Sequence, residues 1–100
     1  MKKWTIDKDS AESVKASIDK DKLALKKWSK FENSVTEDPF YHPKYRRIAK
    51  LKATSYPTGT YRYRDDPLRV VYFPEGLKKI VYPLEAGTVT DISYKKRSKK

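Results

Sequence analysis

A chain of 100 residues makes a single small domain, long enough for one modest core and too short for two. It has no cysteine, which excludes disulfides and thiolate metal sites, and its apolar runs fall far short of the roughly 20 residues that span a bilayer. The formal net charge of +11 is lopsided: residues 1–38 carry nine Lys/Arg against eight Asp/Glu, and residues 39–100 carry fifteen against five. A basic half joined to a nearly neutral half predicts a face that binds a polyanion, where phosphate neutralisation gives salt-dependent affinity. Eight tyrosines add surfaces on which bases could stack. Met1-Lys2-Lys3 is basic but no apolar stretch follows it, so the expectation is a soluble, cytoplasmic protein.

In chain order, Trp4-Thr5-Ile6 predicts a short first strand within residues 1–9. Asp9 and Ser10 suit a helix N-cap, with Glu12 three residues after Asp9 as in a capping box. A helical region over 10–38 follows. Val14 and Ile18 share one helix face, Asp19-Lys20-Asp21 interrupts, and Leu25, Trp28, Phe31 and Val35 resume the helical spacing. Asp38-Pro39 closes the region, because proline lacks an amide hydrogen and restrains its neighbour. Phe40 to Lys44 reads as a loop containing the only histidine, His42.

The sheet is expected over 46–94. Arg46 to Lys52 is a basic strand candidate in which Lys50 and Lys52 flank Leu51. Tyr61 and Tyr63 then alternate with Arg62 and Arg64, the period of a strand with two unlike faces. Asp65-Asp66-Pro67 reads as a turn, and Leu68 to Phe73 returns as a second strand carrying Arg69 in an apolar run. Ile80 to Leu84 is the next strand, where Pro83 requires a bulge or an edge. Val89 to Tyr94 extends the sheet, and residues 95–100 form a basic tail. The fold class is α+β: helices on one side of a three- to four-stranded antiparallel sheet, in one domain spanning 1–100.

The hairpin holds Arg62, Arg64 and Arg69 close together, and three guanidiniums in one place repel. A fold tolerates this chiefly when an anion meets them. Phosphate-loop, dinucleotide-binding, nucleophile-elbow and Cys/His metal motifs are all missing, and a single histidine excludes catalysis by a histidine pair. Cation chemistry on phosphate remains. Cleaving RNA through its own 2′-hydroxyl needs a base, an acid and positive charge on the crowded phosphorane. Arginine supplies fixed bidentate charge, and lysine or tyrosine beside cations can move the protons.

The combination of Lys50-Leu51-Lys52, Gly59-x-Tyr61-Arg62-x-Arg64, Leu68-Arg69-Val70-Val71-Tyr72 and the late Tyr94 resembles the RelE/ParE superfamily of bacterial and archaeal toxins across residues 46–97. The resemblance implies a small toxin neutralised by a cognate antitoxin. In the RelE branch it implies a ribosome-dependent endonuclease that cleaves mRNA without metal or cofactor. It assigns Arg62 and Arg64 to the RNA backbone near the scissile phosphate, Arg69 to the transition state, and Tyr94 to base stacking or proton transfer. Arg64, Arg69 and Tyr94 are thus the catalytic candidates. Lys50 and Lys52 fall where basic residues help bind RNA. The chain departs from the family pattern after Gly87, where residues 88–94 carry no cation and Asp91 is negative; Lys95, Lys96 and Arg97 are the nearest substitutes. A gyrase-inhibiting toxin of the ParE branch and a non-catalytic RNA- or ribosome-binding module are the alternatives.

Overall fold

The computed structural model describes residues 3–44, 47–51 and 55–88. Strand β1 (Thr5–Ile6) leads into helix α1 (Lys8–Lys15), a 3-10 turn (Ala16–Ile18) and helix α2 (Lys22–Glu37). Strands β2 (Ile48–Lys50), β3 (Tyr61–Asp65), β4 (Leu68–Glu75) and β5 (Ile80–Thr88) follow. The strands form one sheet in the order β1-β5-β4-β3-β2, with both helices packed on one face. The α+β class is as expected. The strand count and pairing need correction: the sheet has five strands, and β1 runs parallel to β5 while every other pair is antiparallel. The helices carry the chain from β1 across one face of the sheet, so the two-residue β1 joins its edge without a hairpin turn that could announce the pairing.

The helix boundaries follow from capping. Asp7, in extended conformation directly after β1, caps α1: its carboxylate accepts from the Ser10 backbone N–H at 3.0 Å and the Ser10 hydroxyl at 2.7 Å. This displaces the expected caps Asp9 and Ser10, because the chain leaving the strand already places Asp7 over the first turn. Asp21 caps α2 through the Ala24 N–H at 3.0 Å, and α2 stops at Glu37 before Asp38-Pro39. On α2 the fully buried positions are Ala24, Trp28, Phe31 and Val35, with Leu25 at the margin. Pro83 sits inside the sheet. Val71 pairs with Glu85 and Tyr72 with Pro83, so Leu84 is an extra residue and the ladder is already broken by a bulge there.

The core is aromatic. Phe31 packs against Trp28, Tyr63 and Tyr72 with ring centroids 4.9, 5.2 and 5.7 Å away. Tyr72 crosses this layer and donates its hydroxyl to the Pro39 carbonyl at 2.6 Å, tying β4 to the segment that leaves α2. Burial pushes the Tyr72 hydroxyl well above its ordinary titration range. The folded chain therefore keeps a proton that the unfolded chain loses near pH ~10, so stability is full below that pH and declines above it. Tyr72→Phe is expected to cost about 1–2 kcal/mol, because the Pro39 carbonyl loses its donor. The same variant should flatten the alkaline decline, and denaturant unfolding at about pH 8 and about pH 11 measures both effects.

Candidate nucleic-acid interface

Strand alternation sorts the hairpin into two chemistries. On β3, Tyr61 and Tyr63 turn toward the helices with Asp65, and Arg62 and Arg64 turn to the opposite face. On β4, Leu68, Val70 and Tyr72 join the core, while Arg69, Val71 and Phe73 point away from it. The register places Arg64 directly opposite Arg69, and Arg62 opposite Val71. Directly paired side chains stand about 5 Å apart at Cβ and diagonal ones about 7–8 Å, so Arg62, Arg64 and Arg69 leave the helix-free face as neighbours, and the Arg62 charge also reaches the buried Tyr72 hydroxyl. On the far side of Arg69 its register partner is Gly87, which adds no side chain.

Two adjacent aspartates serve opposite faces. The Asp65 side chain, 8% exposed, receives Lys27 of α2 and Arg47 at 3.1 Å each. Those contacts lock the hairpin tip to α2 and to the approach to β2. Asp66 turns to the arginines: its Oδ1 lies 3.2 Å from Arg69 Nη2 and 4.0 Å from Arg64 Nε, with the side chain 63% exposed. Arg69 is much more enclosed, 18% exposed, and its Nε is buried without a partner among the described residues. The hairpin thus fixes Arg69 firmly and leaves its counter-ion in water.

Residues 55–60 lie against the neighbouring part of this face. The Tyr56 hydroxyl donates to the Glu85 carboxylate on β5. Gly59, at φ +94°, comes so close to Phe73 that a Cβ would stand 3.3 Å from the ring. Val71 is fully buried yet lies outside the main core cluster, which shows that the centre of this face is covered. Two clefts, of about 300 Å³ beside Ile6, Ala11 and Thr36 and about 270 Å³ beside Leu23 and Lys27, lie on the helix side.

Of the residues expected from sequence to carry function, Arg64 and Arg69 converge on Asp66, and Arg62 stands beside them in the register. Lys50 does not join them: it pairs with Tyr61, and alternation puts it on the helix-bearing side of the edge strand β2. Lys52, Tyr94, Lys95, Lys96 and Arg97 lie outside the described residues, as does the expected extension over 89–94. His42 belongs to the loop: its Nδ1 accepts the Lys44 N–H at 2.9 Å and its ring meets the edge of the core residue Tyr63. Desolvation, assisted by Arg47, holds the His42 pKa below its ordinary value.

Sequence reading missed Asp66 as part of the patch, having assigned it only to the turn. Its position two residues after Arg64 and three before Arg69, at a hairpin tip, is the signal that finds it. Tyr56 and Glu85 carried no such signal, because they are 29 positions apart and meet only through the fold. No group of three or more His, Asp or Glu side chains that could hold a metal occurs among the described residues. No described helix is long and apolar enough to cross a membrane. Set against protein-family models, curated proteins and solved structures, the chain matches none of them.

Proposed function

We propose that this chain is the toxin of a toxin–antitoxin pair, acting as a ribosome-dependent mRNA endonuclease that cleaves through the RNA 2′-hydroxyl. The observation that carries the reading is the direct cross-strand pairing of Arg64 with Arg69, with Arg62 diagonal to them, on a helix-free sheet face. Like charges directly opposite one another in a sheet are destabilising; Asp66 offsets part of that cost, and a phosphodiester would offset more of it. A surface patch beside the covered centre of that face, with Arg64 exposed, suits a strand of nucleic acid better than a closed pocket does. The resemblance of residues 46–97 to the RelE branch supplies the reaction and the ribosomal setting.

In this mechanism Arg62 and Arg64 grip successive backbone phosphates. Arg69, more enclosed than Arg64, meets the charge that builds on the phosphorane. The 2′-hydroxyl attacks phosphorus, its proton passes to a base, and the leaving 5′-oxygen takes a proton from an acid. Tyr94, by resemblance, and Tyr56, hydrogen-bonded to Glu85 on the same face, are the proton-transfer candidates. An acidic antitoxin segment would cover the arginines until release, since their uncovered charge would bind RNA indiscriminately.

The test is induced expression in growing cells, with 5′-end mapping of mRNA against ribosome positions. Growth arrest accompanied by ribosome-phased cleavage supports the endonuclease. Arrest with intact mRNA and gyrase-linked DNA breaks transfers the chain to the ParE branch. RNA binding without arrest makes it a non-catalytic module.

A further inference from the structure

The contact between Asp66 and the arginines has a geometry that differs from the other ion pairs of the hairpin. Lys27 Nζ donates to the Asp66 carbonyl at 3.0 Å as well as to Asp65, so the backbone under Asp66 is anchored to α2. The carboxylate itself is 63% exposed and, among the described residues, faces Arg69 at 3.2 Å and Arg64 at 4.0 Å. A carboxylate oxygen and a phosphate oxygen present the same acceptor to a guanidinium, and one Nη2–H cannot serve both. The carboxylate therefore takes a donor that a phosphate approaching Arg69 at Nη2 would use.

We infer that Asp66 is an internal counter-anion and an affinity-determining residue of this face: a single-stranded RNA phosphate binds Arg69 by displacing it. The inference rests on the reading of the face as an RNA-backbone site. A tethered carboxylate competes at an effective concentration of order millimolar, while the exposed ion pair is weak enough to yield. Arg69 then exchanges one anionic oxygen for another when RNA arrives, which leaves its net contribution to ground-state affinity small. The chain also gains a way to keep Arg64 and Arg69 paired across the strands when no ligand is present. Asp65 next door takes no part, because its carboxylate is engaged on the other face by Lys27 and Arg47.

The experiment is a double-mutant cycle on binding of a short single-stranded oligoribonucleotide, at about 50 mM and about 200 mM salt. Asp66→Asn keeps the shape of the side chain and should tighten binding about threefold to fivefold. In an Arg69→Ala background the same exchange should change affinity by less than about twofold, because the nearer partner has gone and Arg64 stands 4.0 Å away. A gain of equal size in both backgrounds would be a long-range field effect and would overturn the inference. So would no gain at all in an otherwise normal, RNA-binding protein. If wild-type protein shows no salt-dependent RNA binding, the functional reading itself fails, and that outcome is distinct from the other two. Thermal melts of each variant establish that the compared proteins are folded.

Discussion

With Arg69 changed to alanine, mRNA cleavage should fall about a hundredfold while oligoribonucleotide affinity changes by less than about threefold. The asymmetry follows from where Arg69 sits. It is held in a core strand between Arg64 and Gly87, largely enclosed, and already paired with Asp66. In the proposed mechanism ground-state RNA would replace one anionic partner with another, so little affinity is at stake. The phosphorane adds charge that only the transition state carries, and a fixed guanidinium that needs no reorganisation stabilises it most. Arg62→Ala should behave differently: a backbone contact is lost, affinity falls, and the slope of log K against log salt shrinks by about one unit. Single-turnover cleavage and equilibrium binding, measured on both variants, separate the two roles. An Arg69→Ala protein that loses growth inhibition only in step with lost fold stability would make Arg69 structural and end the endonuclease reading.

Phe31→Ala should be among the most damaging single changes to the fold, at about 3–5 kcal/mol. Phe31 is fully buried on α2 and touches Trp28 beside it and Tyr63 and Tyr72 on the two strands that carry the arginines. Its removal leaves a cavity between helix and sheet that three large rings cannot close without leaving their rotamers. A domain of this size has about 5–15 kcal/mol of stability in all, so the variant should melt at least about 15 °C lower. The arginine patch should lose its geometry in the same transition, because Tyr63 and Tyr72 alternate with Arg62, Arg64 and Val71 along those strands. Coincident loss of near-ultraviolet dichroism and RNA binding on heating checks that coupling. Early loss of binding, ahead of the core, would place the patch on a separately melting unit.

The sequence by itself determined whatever depends on neighbours a few positions apart. The period-two alternation of Tyr61, Arg62, Tyr63 and Arg64 fixed which side chains share a face, and the turn at Asp65-Asp66-Pro67 fixed that Arg69 folds back beside Arg64. The helical spacing of Trp28, Phe31 and Val35 fixed the buried stripe of α2. Tertiary structure alone decided what depends on distant segments. The parallel pairing of Thr5 and Ile6 with Ile80 and Val81 joins residues 75 positions apart, and a two-residue strand carries no pattern that names its partner. Which cap opens α1 was decided by the strand before it, not by the better-looking Asp9 and Ser10. The opposite duties of Asp65 and Asp66 were legible only in part: alternation and spacing suggest their faces, but the partners of Asp65 come from distant segments. Only the packing of α2 against the hairpin tip turns one carboxylate to Lys27 and Arg47 and leaves the other in water beside Arg69.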